Sequence, residues 1–283
     1  MSHQASHNLY EEEEESKEQG VTVRHHLLDD EEDEESTTLH LRQESPPHKN
    51  KWLEMYREQM KPVLSQEERD RVFVGTRPEH EKYLKKCEKM WEVAEERWAL
   101  NDWTELYTDI EEGVYCWVRD TEQGLKSTKM QMTIEGKVND LLKVLANDPK
   151  YRSKYDSSYF SSYYLQKVSD FTWINYTRVK KVSLVSGRDW ILIVHYKVTD
   201  DGIVYITCFS DDREDLVPLQ KDLVRAGMPI AAWKIQQLPG TPERIKCNYL
   251  IEMDFKGSVP NFILTQAFKD QAKKIVRIKA LVK

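Results

Sequence analysis

The C-terminal half of the chain alternates apolar with polar residues over many short segments, which is the pattern of strands with one buried face. Asp200-Asp201-Gly202 predicts a tight hairpin turn between two of these segments. The segments are therefore expected to form one antiparallel sheet. The predicted strands lie at 114–118, 128–134, 190–198, 203–209, 229–238 and 245–255, with one or two more within 159–175.

Other segments show apolar residues three and four positions apart, which is the helical period. This spacing predicts a strong helix after Pro78, a helix at Val138–Leu145 and a long terminal helix from about Pro260. A weaker pattern predicts a short helix within a linker at 51–74. Helices that flank and interrupt a run of antiparallel strands indicate an α+β domain.

Two of the predicted strands show which of their faces points inward. The strand at 190–198 has charged residues at odd positions, so its even positions are predicted to face the interior. In the last strand the odd positions are the apolar ones. This pattern by itself predicts an ordinary packed core. The predicted interior residues of the two strands are Trp190, Leu192, Val194, Tyr196, Cys247, Tyr249, Ile251, Met253 and Phe255.

The first 50 residues differ from the remainder of the chain in composition. They hold 14 acidic residues, four basic residues and six of the eight histidines, with almost no aromatic residues. Such a segment buries too little apolar surface to offset the entropy lost on ordering, so a disordered tail is predicted over 1–50. The net charge of -7 therefore comes from the tail, and the folded part is mildly basic.

The residue content disfavours several functional classes. The predicted folded part has only His80 and His195, and the sequence contains no nucleophile elbow, phosphate-binding glycine loop or zinc-protease motif. We therefore expect no enzymatic activity, no cofactor and no bound metal. The basic charge is too sparse to predict a nucleic-acid partner.

The expected cellular location of the protein follows from its targeting patterns and its cysteine content. No apolar run has the length of a membrane span, and the N-terminus has no secretory signal pattern. The four cysteines have no metal-ligand spacing and fit a reducing compartment. A cytoplasmic location is therefore expected.

Two short motifs near the end of the chain carry a family resemblance. The first, 187–190 (GRDW), opens a long apolar strand, and the second, 254–260 (DFKGSVP), opens the terminal helix. An Arg-Asp-aromatic strand start followed by Gly-x-Val-Pro before a last helix resembles the START family of lipid-transfer domains. The likeness is nearest to the single-domain phosphatidylcholine-transfer-like members, and it covers 75–283.

The resemblance implies a helix-grip fold, in which a curved antiparallel sheet wraps around a long C-terminal helix and encloses a hydrophobic cavity. It also implies that the protein binds a phospholipid or a sterol-like lipid and transfers it between membranes. The interior face would then be a lipid wall. The residues expected to contact the lipid are Trp173, Asn175, Trp190, Leu192, Val194, Tyr196, Tyr205, Trp233, Tyr249, Ile251, Met253, Leu264 and Phe268.

One pair of positions departs from the family pattern. Many START domains carry a second arginine six residues after the first, where this chain has Val194, and a partnering acid where it has Asn175. Loss of both charges is physically consistent, because a single unpaired buried charge is costly. We therefore expect Val194 and Asn175 to face each other and the ligand to be neutral or weakly polar.

The gate in START domains is the loop before the Arg-Asp strand, here 176–187, beside the terminal helix. Both segments mix basic with apolar residues, which suits transient contact with an anionic membrane surface. An alternative is that bulky inward residues such as Trp117, Trp173, Trp190 and Trp233 fill the space. The domain would then be a START-fold protein-interaction module without a lipid ligand.

Overall fold

The computed structural model describes residues 50–146, 149–182 and 185–282, so the predicted tail lies outside the described residues except for Asn50. Eleven strands form one sheet within the described part. They are β1 (Phe73–Val74), β2 (Thr104–Asp109), β3 (Val114–Asp120), β4 (Lys126–Glu135), β5 (Tyr159–Ser169), β6 (Thr172–Val179), β7 (Gly187–Val198), β8 (Val204–Ser210), β9 (Leu223–Arg225), β10 (Gly227–Leu238) and β11 (Arg244–Asp254).

The strands follow the order β1-β5-β6-β7-β8-β10-β11-β4-β3-β2, and β9 pairs separately with β7. Neighbouring strands are antiparallel except at β1–β5 and β7–β9, which are parallel. The sheet is therefore antiparallel over its whole central part, as the alternating pattern predicted. The hairpin between β7 and β8 turns at Gly202, whose φ of 85° suits glycine.

Six α-helices and a 3-10 helix at Pro78–His80 accompany the sheet in the part of the chain that the structure describes. The α-helices are α1 (Lys51–Met60), α2 (Gln66–Arg71), α3 (Glu81–Ala99), α4 (Val138–Leu145), α5 (Pro149–Tyr155) and α6 (Asn261–Leu281). The bounds of α4 and the start of α6 agree with the sequence prediction. The α+β helix-grip architecture is confirmed, with α6 as the long C-terminal helix.

The two faces of the sheet pack against different helices. On the outer face, Ile174, Tyr176 and Ile191 pack with Tyr83 and Met90 of α3 in one buried cluster. On the inner face, Ala272, Ile275 and Ile278 of α6 join a second cluster with residues of β4, β10 and β11. A helix on each side buries both faces, so the central strands are apolar on both.

The segment predicted as a linker is packed into the domain. Tyr56 and Met60 of α1 are buried in the inner cluster. The side chain of Asn50 accepts hydrogen bonds from the first turn of α1, and its Nδ2 donates to the carbonyl of Val198 at 3.2 Å. Buried Glu68 of α2 accepts a hydrogen bond from the backbone N–H of Tyr164 at 2.8 Å. Residues 50–74 thus form part of the folded unit.

Candidate functional site

A space remains between α6 and the inner face of β6, β7, β8, β10 and β11. It forms an inner chamber of about 190 Å³ and an outer chamber of about 300 Å³. Asp156, Trp190 and Lys274 line both chambers and therefore lie at their junction. Together the chambers fall within the roughly 300–1,000 Å³ that is typical of ligand pockets.

The structure brings most of the predicted wall residues together around this space. Leu264 of α6 lines the outer chamber. Ten of the predicted residues line the inner chamber, namely Trp173, Asn175, Trp190, Leu192, Val194, Tyr196, Trp233, Tyr249, Ile251 and Met253.

Tyr205 and Phe268 line neither chamber. Tyr205 lies on the outer face of β8, where its hydroxyl donates to Glu95 Oε1 of α3 at 2.7 Å. Strand β8 is apolar on both faces, so alternation gave no sign of the side to which Tyr205 points. Phe268 is buried against Phe255, with 6.0 Å between ring centroids, and fills the core beside the outer chamber.

Three charged side chains line the inner chamber. Lys274 Nζ of α6 lies 2.8 Å from Asp156 Oδ2, and Arg152 Nε of α5 lies 3.8 Å from the same oxygen. Two basic groups therefore lie beside one carboxylate. Because all three residues come from the helical side, the cluster stands opposite a wall made of strands.

The pKa of Asp156 is determined by its burial and by the two basic side chains beside it. Burial by itself would raise this pKa, but the positive charges of Lys274 and Arg152 outweigh burial and hold it at about 2. Burial also lowers the pKa of Lys274, because removal from water disfavours its charged form.

The strand wall carries polar atoms that have no hydrogen-bond partner among the described residues. They are Trp173 Nε1, Asn175 Oδ1 and Thr177 Oγ1 of β6 and Trp190 Nε1 of β7. All four side chains belong to residues that are more than nine-tenths buried and line the inner chamber. Buried polar groups in proteins are nearly always hydrogen-bonded, so these four atoms are exceptions to that rule.

The charged cluster was not predicted from the sequence, although signals for it exist. Arg152 and Asp156 are four residues apart, the spacing of neighbours on a helix surface. Lys274 has the same spacing from Ile278, which places it on the apolar face of α6. A basic residue in that position on a buried face was the available indication.

The outer chamber lies between the predicted gate loop and the start of α6. Strand β6 extends to Val179, so the loop is shorter than predicted and spans 180–186, of which 183–184 lie outside the described residues. Arg188 joins the two sides of this mouth. Its guanidinium donates to the carbonyls of Ser186 in the loop and of Phe255 and Lys256 before α6.

The mouth is basic and partly apolar. Five basic side chains and two acidic ones line the outer chamber. Phe262 at the start of α6 is 72% exposed, and Val182 in the loop is 52% exposed. Exposed apolar side chains within a basic surrounding are typical of surfaces that touch anionic membranes.

Two other kinds of site are absent from residues 50–146, 149–182 and 185–282. No helix there is long and apolar enough to cross a membrane. No group of three or more histidine, cysteine or acidic side chains there is arranged to hold a metal ion. The candidate functional site is the cavity with its mouth, which the predicted wall residues line.

A family comparison matches this architecture. The START domain model matches residues 80–280. The chain belongs to the START family. This confirms the resemblance based on the two motifs, and it places α1, α2 and β1 before the part that the family model covers. No curated protein matches the START chain in a sequence search.

Solved START structures share the fold. Human STARD10 has a TM-score of 0.60 at 23% identity, covering 69% of this chain and 78% of its own. Human StAR-related lipid transfer protein 5 has a TM-score of 0.63 at 17% identity, covering 72% of this chain and 97% of its own. The human StarD13 (DLC2) lipid transfer and protein localization domain has a TM-score of 0.55 at 16% identity, covering 69% of this chain and 95% of its own.

The expected pairing of Val194 with Asn175 is not what the structure shows. Val194 and Asn175 both line the inner chamber, but Val194 is paired with Trp173 and Asn175 with Leu192 on adjacent strands. The two residues are therefore diagonal neighbours and do not face each other. The charged side chains that line the inner chamber, Arg152, Asp156 and Lys274, come from α5, the residue after it and α6 rather than from these two strand positions.

Proposed function

We propose that this START protein binds a lipid in the two chambers and transfers it between membranes without catalysing a reaction. The observation that carries the proposal is the space itself, which lies between α6 and the sheet and is lined mainly by apolar and aromatic side chains. Burial of acyl carbon there is favourable by about 0.8 kcal/mol per methylene. The charged cluster at the junction orients the polar end of the lipid.

Exchange of a lipid requires the mouth to open. The gate loop and α6 are the two sides that must separate, and Arg188 is the side chain that hydrogen-bonds to both. Rupture of these hydrogen bonds to carbonyls is a small barrier compared with removal of a buried lipid, so the mouth is suited to gating. Contact with a membrane supplies the surface into which the lipid leaves.

The mouth is also the surface that we propose to touch the membrane. Phe262 and Val182 would enter the headgroup region, and the basic residues of the outer chamber would attract anionic lipids. Four free cysteines support a cytoplasmic setting, where such anionic surfaces occur. Contact is transient because the apolar area is small.

Lipid extraction of the purified protein, together with native mass spectrometry, tests the cavity. We expect about one lipid for each protein molecule. Ala231→Trp places a large ring in the inner chamber and should strongly reduce the lipid content. Ala99→Trp, at an exposed position at the end of α3, should leave the lipid content unchanged. Absence of lipid after purification and after incubation with vesicles would refute the proposal.

Vesicle flotation tests the membrane surface. Phe262→Ser should weaken binding to phosphatidylserine vesicles, while Ile110→Ser should not. Ile110 is 80% exposed, but it lies near the other end of α6, where Lys279 Nζ contacts the carbonyl of Glu112 at 2.7 Å. Equal binding by the two variants would show that the mouth is not the docking surface.

A further inference from the structure

The segment before the family-matched part of the chain covers one edge of the sheet. The START domain model begins at residue 80, whereas residues 64–76 already lie along β5. Glu68 of α2 accepts a hydrogen bond from the backbone N–H of Tyr164 at 2.8 Å, and β1 pairs in parallel with β5. The hydroxyl of Thr76 donates to the carbonyl of Val168 at 2.8 Å. We name residues 64–76 the N-terminal brace, because they are fixed to β5 at three successive places.

The N-terminal brace also packs against two residues of the chamber wall. Val72 forms one buried cluster with Tyr164 of β5 and Trp173 of β6, and Leu64 packs against this cluster. Tyr164 and Trp173 line the inner chamber, whereas Leu64 and Val72 line neither chamber. The two aromatic rings contact each other edge to face, with centroids 5.3 Å apart. The rings therefore lie between the apolar side chains of the brace and the chamber.

These two rings stand at the end of the cavity that is remote from the mouth. Val179 of β6 lines both chambers, whereas Trp173 of the same strand lines only the inner one. The two residues are six positions apart, which corresponds to roughly 20 Å along a strand. An apolar chain that enters from the mouth and extends along β6 therefore ends at Trp173 and Tyr164.

The backing of a ring decides how far it can retreat from a ligand. Protein interiors are close-packed, so a ring that touches packed side chains on its far side has no space to move into. Removal of a buried methyl group leaves a void, into which the neighbouring side chains relax in part. Val72 and Leu64 are the side chains of the brace that back Tyr164 and Trp173.

We propose that the N-terminal brace sets the depth of the inner chamber and so limits the length of the acyl chain that fits. Val72 and Leu64 act as positioning residues, because they hold the two rings at the end of the chamber without touching the ligand. This inference rests on the proposed lipid-binding function. It assigns a part in ligand selection to a segment that lies outside the family-matched residues.

Three valines provide a matched set of truncations to alanine. Val72 backs the rings. Val74 lies two positions further along the same brace but is 66% exposed, so its truncation leaves the rings supported. Val168 of β5 is 1% exposed and packs in the outer cluster with α3, away from both chambers. Val168→Ala therefore controls for a loss of stability without a change at the end of the chamber.

The experiment measures uptake by the full-length protein from vesicles that contain di-16:1, di-18:1 and di-20:1 phosphatidylcholine in equal amounts. Bound lipid is quantified by mass spectrometry after the vesicles are removed by flotation. Each additional methylene that becomes buried favours binding by about fourfold. Val72→Ala should therefore raise the ratio of bound di-20:1 to bound di-16:1 lipid by about fourfold or more. Val74→Ala and Val168→Ala should leave this ratio at the wild-type value.

Leu64→Ala provides a second variant at a half-buried position, where truncation disturbs the fold less than at Val72. It should shift the same ratio in the same direction by about twofold, because Leu64 packs at the margin of the cluster. It decides the question if Val72→Ala does not fold.

The possible failures are distinguishable. A chain-length ratio in Val72→Ala and Leu64→Ala equal to that in Val168→Ala would show that the brace only stabilises the fold, which would overturn the inference. A shift toward the shorter lipid would overturn it as well. If the wild-type protein takes up none of the three lipids, the inference fails. The proposed function fails with it only if lipid extraction of the purified protein also finds no lipid.

Discussion

Strands β6 and β7 bury both of their faces, but the two faces are built differently. On the outer face, Ile174, Ile191 and Ile193 are fully buried in the cluster with α3 and line neither chamber. On the inner face, Asn175 and Leu192 border the chambers. Residues that are adjacent along one strand therefore belong to a solid core on one side and to a container wall on the other.

The polar groups on the two faces differ in the same way. On the outer face, Tyr176 Oη donates to Asp189 Oδ2 at 2.7 Å, and Arg225 donates to both carboxylate oxygens of Asp189 at 3.1 Å. On the inner face, Trp173 Nε1, Asn175 Oδ1, Thr177 Oγ1 and Trp190 Nε1 have no hydrogen-bond partner among the described residues. The hydrogen-bonded groups of the outer face stabilise the fold, whereas the unpaired atoms of the inner face do not contribute in this way.

The largest expected effect comes from breaking the outer network. Asp189→Ala leaves the guanidinium of Arg225 buried without its counter-ion, so we expect a loss of about 3–5 kcal/mol in the free energy of unfolding. Urea denaturation measures this loss. Asp215→Ala is the matched control, because Asp215 pairs with Arg213 at 2.7 Å but is exposed, and it should cost less than about 1 kcal/mol. Equal losses would contradict the structural role of the outer network.

Adjacent truncations on β7 compare the two faces directly. Ile191→Ala empties space in the solid outer core and should cost about 3–5 kcal/mol in the free energy of unfolding. Leu192→Ala enlarges an existing chamber and should cost about 2 kcal/mol, because part of its side chain borders the chamber and makes fewer packing contacts there. Urea denaturation of the delipidated variants measures both. A larger cost for Leu192→Ala would show that the inner face is packed like the outer one.

Asp156→Asn tests the charge cluster of the inner face through its pH dependence. The pKa of Asp156 is about 2 in the folded protein, below its ordinary value, so its carboxylate stabilises the fold at neutral pH. That contribution, about 2 kcal/mol, is lost as the pH falls from about 4 to about 2. The variant should be less stable at neutral pH and should lose less stability across this range. Parallel acid titrations of the two proteins would contradict the predicted role of Asp156.

The smallest expected effect on stability concerns the mouth, where the inner space meets solvent. Arg188→Lys keeps the positive charge but cannot reach three carbonyls at once, so we expect a loss of about 1 kcal/mol in the free energy of unfolding. Lipid transfer between vesicles should become faster, because the two sides of the mouth separate more easily. Arg178→Lys is the control, since Arg178 Nε donates to Ser161 and does not join the loop to α6. Transfer at an unchanged rate would show that Arg188 does not restrain the mouth.

Much of the fold was predictable because periodicity is a local property of the chain. The alternation in β7 and β11 predicted which side chains face the interior, and the start of α6 followed from Pro260 and the apolar spacing after it. Short elements such as α2, α5 and β9 were not predicted, because a few residues carry too little pattern. Their stability comes from contacts with the remainder of the domain.

The sequence by itself determined the strand faces, the terminal helix and the family motifs, since each depends on residues close together in the chain. Only the tertiary structure decided whether the inner face encloses a space, because a core residue and a wall residue have the same local pattern. It also brought Arg152 and Asp156 of the α5 region to Lys274 of α6, more than a hundred residues away. That contact depends on how α6 lies against the sheet, and local pattern gave no sign that it would place charged side chains in the cavity wall.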